Sequence, residues 1–340
     1  MSKILVTGGT GYIGSHAVVE LQARGHEVFI IDNLSNSYES VIPAIEIING
    51  TKPHFCLLDI CDAENLNVYF KENGPFDAVV HFAAYKAVGE SVEHPLKYYR
   101  NNVQGMTNLL EAMQQTASKN LVFSSSCSVY GNATILPVTE QTPLKKAESP
   151  YGNTKVICEA IIEDVSKTGI LKAISLRYFN PVGAHPSALI GELPIGVPNN
   201  LVPVITQTAA GLRNELTVYG NDYTTIDGTC IRDYIHVIDL AKAHVKAVER
   251  LLGNKNEDVC EIFNLGSGTG SSVLQAITAF EESTGEKLNW QMGPRRAGDV
   301  VQIWSDCEKS NNILGWKTEL SIHDAMKTAW EWQKRLIKNK

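Results

Sequence analysis

The sequence predicts an α/β fold, in which a parallel β-sheet is covered by helices on both faces. Short apolar runs alternate with longer helical patterns through the first 180 residues, and strand–helix repeats of this length produce parallel sheets. A glycine-rich turn follows the first apolar run, and polar clusters follow several later ones. Because ligands bind beside the carboxyl ends of parallel strands, we expect a binding site along that edge.

The composition is that of an ordinary globular chain. It has 340 residues, a formal net charge of −7, 44% hydrophobic residues and 20% charged residues. The mild acidity argues against nucleic acid or an anionic membrane as the main partner. No apolar run approaches the ~18 residues that span a bilayer, and the chain leads from Met1 straight into a predicted strand, without a signal peptide. We therefore expect a cytoplasmic protein.

Neither the cysteines nor the histidines predict a metal centre. The seven cysteines include no C-x-x-C pair, and the nine histidines include no H-x-x-x-H pair. An odd number of cysteines without such spacing is not typical of a disulfide framework or a zinc site. We expect no bound metal.

The first strand, helix and second strand carry a dinucleotide-binding pattern. The apolar run at 4–7 leads into G-x-G-x-x-G from Gly9, or G-x-x-G-x-x-G from Gly8. The second strand ends at Asp32, eighteen residues after Gly14. The glycines let the backbone approach a pyrophosphate at the helix N-terminus, and the carboxylate accepts hydrogen bonds from the adenosine ribose. A carboxylate there repels a 2′-phosphate, which favours NAD over NADP.

The alternation continues to residue 178 and then becomes irregular. Further strands are predicted at 53–58, 77–82, 120–123 and 171–178, with helices at 62–73, 95–115 and 150–167. Beyond a proline-rich loop at 181–198, helices are predicted at 199–212, 238–252, 308–314 and 322–336, and strands at 215–219 and 261–265. We therefore expect a Rossmann-type NAD-binding domain at 1–180 and a smaller α/β domain at 181–340.

Tyr151 and Lys155 are the strongest candidates for chemistry. Their spacing of four residues places them on one helix face. Ser149 suits the N-cap and Pro150 the first helical position, so the pair would lie in the opening turn. A helix N-terminus and an ammonium group both stabilise a phenolate, which predicts an acid/base tyrosine. By itself the spacing favours two residues on a solvated helix face, and the other motifs of the chain change that interpretation.

Several motifs together resemble the extended short-chain dehydrogenase/reductase superfamily. These motifs are Gly8 to Gly14, Asp32, Ser126 with Tyr151-x-x-x-Lys155, and R-Y-F-N-P-V-G-A at 177–184. Segments 87–91, 220–223, 232–237 and 295–299 make the chain similar to the UDP-glucose 4-epimerase family within it. The matches extend from residue 4 to about residue 304.

The resemblance implies a reversible epimerisation of UDP-glucose and UDP-galactose at sugar carbon 4. Tyr151 would take the proton of the 4-hydroxyl group, relayed by Ser126, while hydride passes to NAD and returns to the other face of the 4-keto sugar. Lys155 would hold the nicotinamide ribose and, with the cationic nicotinamide, lower the pKa of Tyr151. The family also pairs the helices at 95–115 and 151–167 across a dimer interface, which implies a homodimer.

The resemblance implies that 181–340 is the nucleotide-sugar-binding domain, and it also assigns binding positions. For NAD they are Gly8, Gly11, Tyr12, Ile13, Gly14, Asp32, Asn33, Leu34, Ser35, Asn36, Ser37, Asp59, Ile60, Phe82, Ala83, Ala84, Tyr85, Lys86, Asn101, Ser126, Tyr151, Lys155 and Phe179. For the UDP-sugar they are Ser126, Tyr151, Asn180, Asn200, Thr217, Val218, Tyr219, Arg232, Arg296, Asp299 and Ile303. Arginine side chains suit a diphosphate, although Arg232 could instead pair with its neighbour Asp233.

Other reactions on the same fold stay open. A 4,6-dehydratase would need further acid/base groups, and residues 127–130 contain no carboxylate. An epimerase of another nucleotide sugar is compatible with the motifs, since Ile303 is neither large nor small beside the position expected for sugar carbon 2. A net dehydrogenase would need exchangeable NAD, and a non-catalytic NAD-binding protein would not need Ser126, Tyr151 and Lys155 together.

Overall fold

The main sheet of the protein contains seven parallel strands. A computed structural model describes residues 1–296 and 299–338. In chain order the strands are β1 (Lys3–Thr7), β2 (Glu27–Asp32), β3 (His54–Leu57), β4 (Ala78–His81), β5 (Asn120–Ser124), β6 (Lys172–Tyr178), β7 (Asn180–Val182), β8 (Leu216–Tyr219), β9 (Ile231–Arg232), β10 (Tyr234–His236), β11 (Cys260–Leu265), β12 (Ser271–Ser272), β13 (Trp290–Gly293) and β14 (Gln302–Ile303). The main sheet has the order β11-β6-β5-β4-β1-β2-β3. The predicted Rossmann-type α/β fold is confirmed.

Helices cover both faces of this sheet. They are α1 (Tyr12–Ala23), α2 (Val41–Asn49), α3 (Ala63–Asn73), α4 (Val88–Glu93), α5 (Pro95–Tyr98), α6 (Gly105–Gln115), α7 (Pro150–Lys167), α8 (Leu201–Ala209), α9 (Val237–Leu252), α10 (Val273–Thr284) and α11 (Ile322–Lys338). Short 3₁₀ and π segments lie at Cys127–Tyr130, Tyr99–Gln104 and Ser310–Leu314. None of the helices in the described residues combines the length and apolar character needed to cross a bilayer.

Alternation along β1 divides the core into two layers. Ile4 and Val6 pack on the face covered by α1 and α9, while Leu5 packs on the face covered by α3, α6 and α7. Successive strand residues point to opposite faces, so a strand buried on both sides is apolar throughout. Strand β1 pairs with β2 on one side and with β4 on the other, so the order of successive strands changes direction across the sheet at β1. This reversal places a crevice at the carboxyl end of β1.

The second half of the chain builds a smaller unit and also returns to the main sheet. Strands β7 with β10, β8 with β13, and β9 with β12 and β14 form three small sheets, and α8, α10 and α11 enclose a separate apolar core. However, β11 pairs with β6, and α9 packs against α1. The domain division at residue 180 stays a prediction, and the segment from α9 to β11 packs with the first part.

Local differences from the predicted elements follow from segment length and helix geometry. The helices α2 and α4 were not predicted, because segments of nine and six residues are too short for a clear periodic pattern. The predicted helix at 95–115 contains the π-helical segment Tyr99–Gln104. Such segments are frequent at functional sites, and this one contains Asn101.

Candidate active site

The turn between β1 and α1 has the shape of an anion-binding site. Gly8 has φ of +71°, and a Cβ there would lie 2.7 Å from the amide nitrogen of Ala83. A Cβ on Gly14 would collide with the carbonyl oxygen of Gly8. Gly11 occupies the N-cap of α1 without a side-chain cap, so the first N–H groups of the helix can bind a ligand.

A cleft opens beside this turn. Its walls are Gly8, Gly11, Ile31, Asp32, Asn33, Ser35, Asn36, Ser37, Leu58, Ile60, Phe82, Ala83, Ala84, Tyr85 and Asn101. All of them except Ile31 and Leu58 were predicted NAD positions. The cleft runs along the carboxyl ends of β1, β2 and β4, where a doubly wound sheet binds dinucleotides.

Asp32 is held in the cleft wall by three protein donors. Its carboxylate accepts hydrogen bonds from the amides of Thr10 (3.2 Å) and Leu34 (2.9 Å) and from the hydroxyl of Ser37 (3.2 Å). The residue is only 9% exposed. This fixed carboxylate matches the ribose-binding acid of a dinucleotide site. Together with the bare N-terminus of α1, it shows that the residues of this cleft fit NAD.

Several predicted NAD residues lie around the cleft and make contacts of their own. The Tyr12 hydroxyl donates to the carbonyl of Gly183 (2.6 Å), Asp59 accepts from the side chain of Asn33 (3.0 Å), and Lys86 pairs with Glu192 (3.2 Å). Ile13 and Gly14 lie in α1, Leu34 has φ of +56°, and Phe179 is buried in an apolar cluster with Ile303.

The predicted helix start at Tyr151 is confirmed. The Ser149 hydroxyl caps α7 by accepting from the amide of Gly152 (3.1 Å), and Pro150 is the first helical residue. Tyr151 is 8% exposed and Lys155 4%, so neither lies on a solvated helix face. The helix places both side chains under the carboxyl end of β5, from which Ser126 follows.

Burial dominates the charge state of Tyr151. Burial raises its pKa above the ordinary tyrosine value, the nearby Tyr178 raises it further, and hydrogen bonding by the Ser126 side chain lowers it. The protein alone therefore keeps this phenol protonated at neutral pH. The expected lowering of the pKa includes the positive charge of bound nicotinamide, so it stays a prediction; in the chain by itself, burial has the larger effect.

Lys155 points towards the sheet. Its ammonium group donates to the carbonyl of Ser124 (2.7 Å) and lies 4.8 Å from the centre of the Phe123 ring. Burial lowers the pKa of Lys155 to about 8, although the neighbouring Glu159 favours the charged form. This position fixes the cation beside the serine segment that follows β5.

A buried ionic network behind that segment was missed at the level of sequence. Glu159, one turn beyond Lys155, accepts from Arg177 through Nε (3.0 Å) and Nη2 (2.6 Å), and also from the Ser125 hydroxyl. Arg177 donates in turn to the hydroxyl of Tyr130 (3.1 Å). The network therefore holds the side chains of Ser125 and Tyr130, which lie on either side of Ser126 in the chain. The signal in the sequence was a carboxylate on the same helix face as Tyr151 and Lys155.

In the second half of the chain, Arg232 does not pair with its neighbour Asp233. The Asp233 carboxylate is fully buried and accepts from the amides and hydroxyls of Ser267 and Ser305. Arg232 instead faces Asp299 at 3.9 Å and is 17% exposed. Ile303 pairs in register with Arg232 and is 5% exposed. The structure thus brings together three predicted substrate residues.

The other predicted substrate residues are distributed over the second half of the chain. Asn180 donates its amide to the carbonyl of Asp233 (2.9 Å), and Asn200, at the N-cap of α8, donates to Glu192 (2.6 Å). Thr217, Val218 and Tyr219 lie on β8, which pairs with β13, and Arg296 is exposed. Within the part of the chain that the structure describes, no group of three or more His, Cys, Asp or Glu residues is placed to hold a metal ion.

Comparison with known proteins places the chain in a family. The model of the NAD dependent epimerase/dehydratase family matches residues 4–266. The chain is 47% identical over 334 residues to UDP-glucose 4-epimerase 2 of Arabidopsis thaliana, with 97% of the chain and 94% of that protein covered. It is 49% identical over 337 residues to the bifunctional protein GAL10 of Pachysolen tannophilus, which covers 98% of the chain but only 49% of that protein.

A solved structure agrees over the whole length. The crystal structure of UDP-glucose-4-epimerase from Stenotrophomonas maltophila, with bound NAD and formylated UDP-arabinopyranose, superposes with a TM-score of 0.96 at 47% identity and covers 100% of both chains. The position of the cleft at the carboxyl ends of the strands agrees with the matches over nearly the whole chain, and both indicate the same family. The chain belongs to the NAD-dependent epimerase/dehydratase family.

Proposed function

We propose that the protein interconverts UDP-glucose and UDP-galactose at sugar carbon 4, with NAD kept bound. The observation that carries this proposal is the burial of Tyr151 beside Ser126 and Lys155, next to a cleft whose residues fit NAD. Two of the relatives named above, from Arabidopsis thaliana and Stenotrophomonas maltophila, carry the name UDP-glucose 4-epimerase and match almost the whole chain, which supports the choice of reaction.

The chain itself supplies the acid/base chemistry. NAD, when bound, accepts a hydride from sugar carbon 4 and returns it to the opposite face. Tyr151 removes the proton of the 4-hydroxyl group, directly or through the hydroxyl of Ser126, and gives a proton back as the 4-keto sugar is reduced. Because burial keeps Tyr151 protonated in the chain alone, the positive charge that makes it a base arrives with the cofactor, and Lys155 adds to it.

The substrate side orients a nucleotide diphosphate sugar. Arg232 and Arg296 carry guanidinium groups suited to phosphate oxygens, and Asp299, which faces Arg232, would accept from a uridine ribose. Asn180, Asn200 and residues 217–219 complete this wall. The 3₁₀ segment Cys127–Tyr130 supplies no carboxylate near Ser126, which counts against a 4,6-dehydratase.

The choice of sugar depends on the space beside Ile303. This side chain is 5% exposed and packs in an apolar cluster with Tyr130 and Phe179. An N-acetyl group at sugar carbon 2 therefore has a place to enter only if Ile303 can move. This is the specific observation that keeps an epimerase of N-acetylated UDP-sugars as the second candidate.

We further propose a homodimer in the cytoplasm. Apolar side chains are exposed on and beside α4, including Val92 (61%) and Leu96 (80%), and α4 packs against α7. A second copy covering this surface would remove that apolar area from water. Light scattering after size-exclusion chromatography measures the mass; a monomer at micromolar concentration would contradict this part of the proposal.

The reaction is tested by incubating the purified protein with UDP-galactose and no added NAD, and separately with UDP-N-acetylgalactosamine. Formation of UDP-glucose in the first incubation is the expected result. Product from both would extend the activity to N-acetylated sugars. No product from either, with NAD present in the protein, would overturn the proposal.

A further inference from the structure

The carboxylate of Glu192 links the two sides of the cleft. Its Oε1 atom accepts from the ammonium group of Lys86 at 3.2 Å and from the side-chain amide of Asn200 at 2.6 Å. The Glu192 side chain is only 12% exposed, whereas that of Lys86 is 46% exposed. Because the Glu192 carboxylate is more buried than the Lys86 ammonium group that it binds, the ion pair restricts the positions of the lysine side chain.

The two donors belong to different ligand sites. Lys86 follows directly after Ala83, Ala84 and Tyr85, which line the NAD cleft beyond β4. Asn200 is the N-cap residue of α8, in the part of the chain proposed to bind the UDP-sugar. One oxygen atom therefore fixes a cation at the cofactor wall and an amide at the substrate wall.

The backbone that carries Glu192 is itself fixed. The indole N–H of Trp332, from α11, donates to the carbonyl of Glu192 at 3.0 Å. A Cβ at Gly191 would lie 2.6 Å from Cδ1 of the same indole. The turn therefore sits tightly against α11, and the carboxylate has little freedom to follow its partners if they move.

The charge of Glu192 also reaches the glycine turn. Tyr12, in the first turn of α1, has its pKa raised by burial first and then by the negative charge of Glu192. The Tyr12 hydroxyl donates to the carbonyl of Gly183, nine residues before Glu192. The loop that carries Glu192 is thus attached to the pyrophosphate end of the cleft as well as to Lys86.

We propose that Glu192 is a positioning residue shared by the two sites. It places Lys86 for the cofactor and Asn200 for the nucleotide sugar through a single carboxylate oxygen. This inference rests on the proposed function, because that function assigns Lys86 and Asn200 to the two ligands. Without the carboxylate, both donors regain side-chain freedom that has to be lost again when ligands bind.

The test compares two substitutions of Glu192 with one control. Glu192→Ala removes both interactions, whereas Glu192→Gln keeps a carbonyl for the Asn200 amide and removes the charge that holds Lys86. Glu319→Ala is the control, because Glu319 forms an exposed ion pair with Lys242 at 2.6 Å outside the cleft. The readouts are UDP affinity by calorimetry, the rate at which NAD is lost on dilution, and kcat and KM for UDP-galactose.

For Glu192→Ala we expect UDP affinity to fall and KM to rise by about tenfold, as is typical when a hydrogen bond to a charged group is lost, together with faster NAD loss. For Glu192→Gln we expect UDP affinity within about threefold of the unmodified protein, with NAD loss still faster, since a neutral acceptor holds an ammonium group less strongly. Glu319→Ala should change neither quantity. A purely structural role would shift the unfolding midpoint and would not separate the two ligands in this way.

A double substitution tests the link to Lys86. If Glu192 acts through that lysine, Lys86→Met with Glu192→Gln loses NAD no faster than Lys86→Met alone. Unchanged UDP affinity and NAD loss in Glu192→Ala, or fully additive effects in the double variant, would overturn the proposal. Because UDP binding and NAD loss are measured without turnover, an inactive unmodified protein would refute the proposed function and leave this test intact.

Discussion

Replacing Glu159 by alanine breaks the buried ion pair that lies behind the catalytic segment. Glu159 and Arg177 have side chains that are 8% and 4% exposed and meet at 2.6 Å, and the same carboxylate also accepts from Ser125. Removing one partner of such a pair leaves a buried, uncompensated charge, which typically costs about 3–5 kcal/mol. We expect Glu159→Ala to lower the free energy of unfolding by this order.

Urea denaturation with the cofactor bound measures this change, and the same helix offers a matched control. Glu163 pairs with Lys167 at the same distance, 2.6 Å, but both side chains are more than half exposed. We expect Glu163→Ala to have a much smaller effect, because exposed pairs contribute little to stability. Equal losses in the two variants would refute the reasoning that burial makes the Glu159 pair important.

Three further substitutions test the cofactor site. Gly14→Ala places a Cβ against the carbonyl oxygen of Gly8 and should weaken NAD binding at least about tenfold. The control Gly89→Ala, where a Cβ meets no atom within 4 Å, should leave NAD binding unchanged. Equal NAD content in the two variants would contradict the steric argument. Lys155→Met should gain stability relative to the unmodified cofactor-free protein at pH 7, because the folded-state pKa of Lys155 is lowered to about 8. This gain should shrink as the pH rises from about 8 towards the ordinary lysine value, since the penalty of the buried charge begins to fall at the folded-state pKa and is absent only above the unfolded-state pKa. Urea titrations at several pH values measure this, and a gain independent of pH would contradict the cause. Asp32→Asn should raise the affinity for NADP relative to NAD, as measured by calorimetry, since a 2′-phosphate no longer meets a carboxylate; an unchanged ratio would remove Asp32 from this role.

Local motifs allowed the fold and much of the cleft to be predicted. Gly8, Gly14 and Asp32 are recognisable because the strand, turn, helix and strand that they require are consecutive in the chain. The position of Tyr151 was predictable for the same reason, since Ser149 and Pro150 mark the helix start within two residues of it. Each of these patterns depends only on residues that are close in the chain, and the folded protein has the local geometry that they predict.

Contacts between distant segments could not be read from the sequence. Glu192 is 106 positions from Lys86, and Asp233 reaches Ser305 across 72 positions, so no local pattern links them. The alternative pairing of Arg232 with Asp233 arose for the same reason, because adjacency in the chain was the only contact that the sequence displayed. Strand β11 looked like part of the second unit until its pairing with β6 was visible.

The sign of the pKa shift at Tyr151 was also beyond the sequence. A neighbouring lysine and a helix N-terminus both predict a lowered pKa, but burial has the opposite and larger effect in the chain alone. Burial depends on every element packed around the ring. The lowering implied by the resemblance therefore depends on the cationic nicotinamide, because Lys155 and the helix N-terminus do not outweigh burial in the chain alone.

The most direct test of this account is the turnover of Tyr151→Phe with UDP-galactose, measured together with its NAD content. Phenylalanine keeps the ring in its buried place and removes only the hydroxyl that exchanges the proton. We predict that turnover falls by roughly 10²–10⁴-fold, as general acid–base catalysis typically contributes, while NAD remains bound. Turnover within a few-fold of the unmodified protein, with NAD still present, would contradict the assignment of Tyr151 as the proton-transferring group.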